Sequence, residues 1–166
     1  MSARRLVVAT GLRDELPDVA GLWARWGRDV LHCPYCHGYE VADQPLGVLG
    51  GSAESVAHAL LIAQWSSDVV YFAHTTDLTE GQHEQLSAGG VGVVEGLVTR
   101  VVVENDELCG LEVTNGRVVE RSAVFVRPRF VPNAELLVAL GCLVEADGWV
   151  TADGTGATSE IGRAHV

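Results

Sequence analysis

Leu46-Gly47-Val48-Leu49-Gly50-Gly51-Ser52-Ala53-Glu54-Ser55-Val56-Ala57-His58-Ala59-Leu60-Leu61-Ile62-Ala63-Gln64-Trp65-Ser66-Ser67-Asp68-Val69-Val70-Tyr71-Phe72 is the stretch that decides the fold. Its first four residues form a compact apolar run, which reads as a buried strand. Gly50-Gly51-Ser52 turns the chain. From Ala53 to Trp65, Val56, Ala59, Leu60 and Ala63 recur at helical spacing and predict an amphipathic helix. Val69 to Phe72 is the next strand. Residues 79–88 are polar and helix-compatible, and Val91 to Val94 is a third strand. The order β-α-β-α-β is the signature of a parallel, layered α/β unit.

Outward from this unit the pattern changes. Upstream, Arg4 to Ala9 reads as a short strand closed by Thr10-Gly11, and residues 12–29 as polar loop broken by Pro17, Gly21 and Gly27. Trp23 and Trp26 are three apart, so on a helical turn they share a face and serve as core contacts. Downstream, Val98 to Val103 and Leu108 to Val113 are strand-like around an Asn105-Asp106 turn, and Asn115-Gly116 is a hairpin signal. Val118-Val119 and Ala123 to Val126 complete the expected antiparallel meander. Pro128 and Pro132 punctuate a connection, Asn133 is placed to cap a short helix through Leu140, and Gly148 to Val150 is a further strand candidate.

The chain has 166 residues, of which 48% are hydrophobic, enough for a sizeable core. Eleven Arg and Lys against 22 Asp and Glu give a net charge of -11, which argues against nucleic acid or an anionic membrane surface as partner. No apolar run reaches the roughly 18 residues of a membrane span. Met1-Ser2-Ala3-Arg4-Arg5 does not open a signal peptide, so the reducing cytosol is the default compartment and a structural disulfide framework is not expected from the four cysteines.

The chemistry concentrates in Leu31-His32-Cys33-Pro34-Tyr35-Cys36-His37-Gly38-Tyr39-Glu40. A CxxC pair sets two sulfurs where a disulfide or a metal can bridge them. As a redox dithiol, Cys33 and Cys36 need one thiol ionised near neutral pH, and a nearby imidazolium or a helix N-terminus favours that. His32 and His37 flank the pair, and His37 is placed to give or take the proton when the disulfide opens. A zinc site needs a second ligand pair, whereas Cys109 and Cys142 stand singly and read as buried core cysteines. No metal is therefore expected at a redox dithiol; the alternative is a non-enzymatic binding module whose CxxC holds a metal, which stoichiometric zinc in the purified chain would favour. C-x-x-C-H also matches the short haem-attachment signature, which belongs with export. The tetrad Cys33 to Cys36 is that of a glutaredoxin, but that fold needs a long helix after the second cysteine, and Gly38, Asp43 and Pro45 interrupt one here.

Gly50, Gly51, Ser52, Ala53 and Glu54 stand between strand and helix, where a dinucleotide fingerprint places glycines against a pyrophosphate. Ser52 and Ser55 occupy the second and third fingerprint positions. After the second strand the chain reads Ala73-His74-Thr75-Thr76-Asp77, and no arginine occurs between residues 29 and 99. A 2′-phosphate has no partner there, and Asp77 favours NADH over NADPH without deciding between them.

Together these segments resemble, in order, the two-domain thioredoxin reductase family of flavoproteins. Ala9-Thr10-Gly11 is similar to the family segment lying against FAD, Cys33 to Glu40 to its redox segment, and Val48 to Ala59 to the start of its pyridine nucleotide domain. Val126 to Leu136, with Pro132-Asn133-Ala134, resembles the return crossing, and Gly148 to Ser159 the lead-in to the last FAD-binding segment. The resemblance implies an α/β fold: a Rossmann-like three-layer nucleotide-binding domain with an antiparallel β-meander, plus incomplete ends of an FAD domain. It implies FAD as cofactor, with Thr10 and Gly11 beside it, and NADPH or NADH at Gly50 to Glu54. It implies Cys36 facing the flavin, Cys33 exchanging with substrate, and His37 moving the proton. The partner would be a thiol/disulfide protein or a small-molecule dithiol, and the full-length parent a homodimer. Where ordinary thioredoxin reductases carry an acid after the second cysteine, this chain has His37. Cys-Pro-Tyr-Cys-His-Gly-Tyr-Glu is similar to a branch that includes flavin-dependent dithiol oxidases of small-molecule metabolism.

The expected domains are 1–28, the end of a first FAD-domain segment; 29–127, the nucleotide-type domain with the dithiol at 33–36; and 128–159, the start of the return segment. Residues 160–166, Glu-Ile-Gly-Arg-Ala-His-Val, are what a common sequencing-adapter read (GAG ATC GGA AGA GCA CAC GTC) encodes. They are expected to be non-native, and Met1 an internal start. Sequencing the genomic locus is expected to show an upstream strand–GxGxxG–helix and a downstream Gly-Asp segment; a locus encoding this tail followed by a stop would contradict the expectation.

Overall fold

The computed structural model describes residues 4–160 and the backbone of 163–165. Within the terminal heptapeptide, residues 161, 162 and 166 lie outside the described residues. The chain divides into two compact units, residues 16–128 and residues 1–15 with 129–166.

Residues 16–128 are built on a five-stranded parallel sheet of β3 (Val30–Leu31), β10 (Ala123–Val126), β4 (Leu46–Leu49), β5 (Val69–Phe72) and β6 (Val91–Val94), in that spatial order. Helices α2 (Ser55–Ile62) and α3 (Glu80–Ala88) cover one face. An antiparallel meander of β7 (Val98–Glu104), β8 (Glu107–Val113) and β9 (Val118–Glu120) covers the other. Successive strand residues point to opposite faces. Leu46, Val48, Val69, Tyr71, Ala123 and Phe125 accordingly pack with Val56, Ala59, Ile62 and Leu86 of the helices. Leu49, Phe72, Val124 and Val126 pack with Val98, Val101, Leu108, Leu111 and Val113 of the meander. A strand covered on both faces has no solvent side, so β4 and β10 are continuous apolar runs. The α/β, three-layer expectation thus holds.

One placement differs. Ala123 to Val126 is not a meander strand; it lies inside the parallel sheet, with Val124 opposite Val30 and Ala123 to Val126 opposite Leu46 to Leu49. The uninterrupted run Ala-Val-Phe-Val carries the physical reason, because an outer-layer meander strand mixes exposed with buried residues, as β7 does. The expected turn at Asn105-Asp106 is present, with both residues at positive φ (50° and 64°).

The loop expected over 12–29 contains β2 (Leu12–Glu15) and a single 3₁₀ turn at Trp23–Arg25. Trp26 packs against the core, but Trp23 is 61% exposed and is no core contact. The turn ends at Trp26, whose φ and ψ are extended, so the two rings do not share a helical face. Arg25, 5% exposed, ties this loop to the meander. Its Nε donates to Asp29 Oδ1 at 2.8 Å, its Nη1 to Asp106 Oδ1 at 2.9 Å, and its Nη2 to Asp29 Oδ2 and to the Asp106 carbonyl. Asp29 Oδ2 also accepts the Leu108 N–H at 3.0 Å, and the Asp29 carbonyl accepts the Val124 N–H at 2.8 Å.

In the other unit, β2 pairs antiparallel with β11 (Arg129–Pro132), and β1 (Leu6–Val8) runs parallel to β12 (Arg163–His165). Asn133 does not cap α4 (Glu135–Ala139): the helix has Ala134 at its N-cap, and the Asn133 side chain is spent on Thr10. Gly148 to Val150 forms only an isolated bridge, Val144 to Val150. Cys142 is buried beside α4 as expected, whereas Cys109 on β8 is only half-buried.

Removing the Arg25 guanidinium leaves the largely buried Asp29 carboxylate unpaired. Arg25→Met is expected to destabilise the fold by about 3–5 kcal/mol, read from urea denaturation; a loss below about 1 kcal/mol would mean that Asp29 does not depend on this partner.

Candidate active site

Because all five sheet strands are parallel, their carboxyl ends share one edge. Residues 32–33 follow β3 there, Arg127 follows β10, the glycine turn follows β4, and Ala73 to Asp77 follow β5. The connection from β4 runs to β5 and β6, while the chain returns through the meander to β10 on the other side of β4. The space between β4 and β10 is therefore the topological switch point, where open α/β sheets take ligands. With strands about 4.8 Å apart, the ends of β3 and β4 lie roughly 10 Å from one another.

The dithiol is set by a one-turn helix. Cys33 is extended (φ −95°, ψ 114°) and is the N-cap of α1 (Pro34–His37), with Pro34 at the first helical position, where its missing N–H is no loss. Cys33 is half-buried, Cys36 exposed, and both are free thiols. The neighbouring Cys36 thiol first, and then the nearby amides of Cys36 and Tyr35, hold the Cys33 thiol below its ordinary value against the opposing effect of burial. The shared proton pushes Cys36 up. Of the two thiols, Cys33 is thus the one that ionises more readily. Trp26, Gly27, Val30, Leu31 and His32 line a cleft of about 210 Å³ with Cys33, Cys36 and His37. His37 Nδ1 lies 3.1 Å from Glu40 Oε2, which orients the imidazole. Tyr35, 74% exposed, stands edge-on to Trp65. Gly38 has no room for a side chain, since an added Cβ would lie 2.4 Å from the Pro34 carbonyl oxygen and 2.7 Å from Trp65. The long helix of a glutaredoxin is absent: α1 stops at His37.

At the glycine turn, a Cβ on Gly50 would meet the Ala73 carbonyl oxygen at 2.5 Å and the Tyr71 hydroxyl at 2.7 Å. Gly50 is fixed by close approach to β5. Gly51 has φ +150° and an open surface. Ser55 donates to the Ser52 carbonyl at 2.6 Å and shares a 2.7 Å hydrogen bond with Tyr71. The Glu54 carboxyl is held below its ordinary value by its own backbone N–H, then by the Ser52 hydroxyl, with Arg127 adding attraction. The turn has the shape to admit a pyrophosphate, and its buried Ser52 Oγ has no hydrogen-bond partner. Ala73 to Asp77 bring no cation, and His74 is engaged, its Nδ1 accepting the Val98 N–H at 3.1 Å.

Thr10 and Gly11 meet the return crossing. The Thr10 hydroxyl donates to the Asn133 carbonyl at 2.7 Å, and Asn133 Nδ2 donates to the Thr10 carbonyl at 2.9 Å. Gly11 has φ +69° and nothing within 4 Å of an added Cβ, so a flat group can approach its backbone. Among the described residues, no cluster of three or more His, Cys, Asp or Glu could hold a metal. No helix among them is long and apolar enough to cross a membrane.

Three residues near the dithiol and the turn escape sequence reading. Glu40 could have been found from its i, i+3 spacing to His37. Arg127 has no signal, because only the return of β10 beside β4 brings it to Glu54. His58 stands among apolar positions of α2 and is buried at 6% exposure. Burial pushes the His58 imidazole down to about 4, opposed by its contact with the His32 carbonyl. Between that value and the ordinary 6.5, the unfolded chain holds a proton the folded chain does not. Stability therefore falls as pH drops through this window, by up to roughly 3 kcal/mol. His58→Gln is expected to flatten that slope in urea denaturation between pH 6.5 and 4; an unchanged slope would assign it to other groups.

The profile of the pyridine nucleotide-disulphide oxidoreductases matches residues 1–162. The crystal structure of HlmI is 58% identical with a TM-score of 0.91, over 100% of this chain and 52% of that one. An oxidoreductase structure from Agrobacterium tumefaciens is 32% identical with a TM-score of 0.85, over 97% of this chain and 54% of that one. Thioredoxin reductase tcpT of Claviceps purpurea is 41% identical over 64 residues, 38% of this chain and 20% of that protein. This chain spans about half the length of the solved structures it matches, and its alignment to that curated relative a fifth. On a match covering nearly its whole length, this chain belongs to the pyridine nucleotide-disulphide oxidoreductase family and is thioredoxin reductase-like within it.

Proposed function

We propose that the chain carries the dithiol of an FAD-dependent thiol–disulfide oxidoreductase, with Cys33 as exchanging thiol, Cys36 as the thiol toward the flavin, and His37 as proton carrier. The observation behind it is the Cys33–Cys36 pair itself: two free thiols on one helical turn, open to a cleft, with Cys33 the more readily ionised. In the reducing direction, the Cys33 thiolate attacks a substrate disulfide. A Cys33–substrate bond forms, and the departing sulfur takes a proton from His37. Cys36 then attacks Cys33, the second substrate sulfur leaves, and the Cys33–Cys36 bond closes. The dithiol has lost two electrons and the substrate gained them; bound FAD supplies the two-electron chemistry that restores the dithiol. The oxidising direction runs the same exchange backwards. Glu40 holds His37 through Nδ1 and leaves Nε2 for the proton.

On this reading Thr10 and Gly11 lie beside FAD, and residues 1–28 and 128–159 belong to an FAD domain completed by further chain. Gly50 to Glu54 form the pyridine nucleotide turn of the 29–127 domain. The partner is a thiol/disulfide protein or a small dithiol, in a reducing cytoplasm, and the complete protein is a homodimer. A second reading, a dithiol oxidase passing electrons to oxygen, is favoured by the lack of a cation after β5. Anaerobic bleaching of the flavin in the complete protein separates the two: bleaching by NADPH or NADH supports a reductase, and bleaching by dithiol alone an oxidase.

Cys36→Ser is expected to lower turnover by about 10³-fold or more and to trap substrate on Cys33 as a mixed disulfide detectable by mass. A Cys36→Ser protein that turns over normally would overturn the assignment.

A further inference from the structure

The dithiol turn has two faces. Cys33, Cys36 and His37, spaced i, i+3 and i+4, lie on the side that lines the cleft. Tyr35 and Gly38, spaced i, i+3, lie on the other, and both meet Trp65. The Tyr35 ring stands edge-on to the Trp65 ring with centroids 6.4 Å apart. Gly38 is buried against the indole, so closely that an added Cβ would be 2.7 Å from Trp65 Cδ2 and 2.9 Å from Cε2. The Trp65 carbonyl also accepts the Asp43 N–H at 2.9 Å, which ties the chain leaving the turn to the same residue. Trp65 is itself fixed. It follows α2, its N–H donates to the Ile62 carbonyl at 2.9 Å, and its ring packs on the helix-side core.

α1 is four residues long, and a single helical turn does not hold itself in water. Within it the Cys33 carbonyl accepts the N–H groups of Cys36 and His37, both at 3.2 Å, and these bonds bring the second cysteine round to the first. We propose that Trp65 is a positioning residue of the dithiol: its indole seats the Tyr35–Gly38 face of α1 and thereby keeps the two sulfurs of the opposite face within bonding reach. The inference rests on the dithiol reading above. When glutathione disulfide oxidises the pair, the Cys33–Cys36 bond forms and the glutathione S–S bond breaks. The two protons and two electrons given up by the cysteine thiols end on two glutathione thiols. The equilibrium constant of this exchange rises with the effective concentration of one cysteine thiol at the other, and that proximity is what the seat supplies.

The test is the midpoint potential of Cys33–Cys36 in the full chain, read in glutathione buffers by acid quench and peptide mapping. Trp65→Leu keeps an apolar side chain on the core but removes the flat seat. It is expected to lower the equilibrium constant for closing the bond about tenfold, which moves the midpoint about 30 mV upward. Trp65→Phe keeps an aromatic ring against Gly38 and is expected to restore most of the wild-type midpoint. A ring that served the core alone would weaken the oxidised and the reduced chain alike and leave the potential where it was. A wild-type transition that Trp65→Leu does not move would therefore overturn the role of Trp65 while leaving the dithiol reading intact. A wild-type chain that forms no Cys33–Cys36 bond at any potential would instead count against the dithiol reading and remove the basis of this inference. Should Trp65→Leu not fold, Gly38→Ala decides, because it leaves α2 whole and drives a methyl against the indole. The same upward shift is expected, and an unmoved midpoint would overturn the proposal.

Discussion

The insertion of β10 between β3 and β4 is the constraint on which the rest depends. Val124 and Phe125 pair with Val30 and Leu31, and the same strand pairs over four residues with Leu46 to Leu49. β3 is two residues long and has no other ladder partner in the sheet. A strand that short does not hold itself, so the dithiol that follows it inherits its position from β10. The same insertion creates the switch point beside β4 and brings Arg127 to Glu54. Arg25 supports the arrangement from the far side by fixing Asp29, whose carbonyl receives the Val124 N–H.

On that frame the site is built from local rules. Pro34 starts a helix, Cys33 stands at its N-cap, and the amides of Cys36 and His37 fall to the Cys33 carbonyl. Gly38 ends it where Trp65 and the Pro34 carbonyl leave no space. The result is an asymmetric pair, one thiol half-buried and held below its ordinary pKa, the other exposed and pushed above it. Asymmetry of this kind is what ordered thiol–disulfide exchange needs, since attack requires a thiolate and resolution requires a second thiol held back. The glycine turn has a different balance. Gly50 answers to packing against β5, Gly51 stays open, and Ser52 Oγ is buried without a hydrogen-bond partner.

Much of this was legible in the sequence because it is written in short-range patterns. The runs Leu46–Leu49 and Val69–Phe72, the turn at Asn105-Asp106 and the CxxC pair each declare themselves within a few residues. What was not legible depends on distant pairing. Ala123 to Val126 looks like one more strand after a hairpin, and only its unbroken apolar character hints that both faces are covered. Val30-Leu31 is too short to signal a strand without its partner. Asn133 has the residue type of a helix cap, but its amide answers to Thr10, 123 residues away in sequence. Trp23 and Trp26 have helical spacing, yet the chain leaves the helical region at Trp26 and parts them. His58 reads as one polar residue on an apolar helix face until the His32 carbonyl is seen above it.

The central claim is that Cys33 and Cys36 form one two-electron redox pair. Equilibrating the chain in glutathione buffers of graded potential, with acid quench and peptide mapping, tests it directly. The account predicts a single two-electron transition at about −180 to −300 mV, with the bond formed between Cys33 and Cys36 while Cys109 and Cys142 stay reduced. Glutathione adducts spread over all four cysteines, with no Cys33–Cys36 bond at any potential, would contradict it.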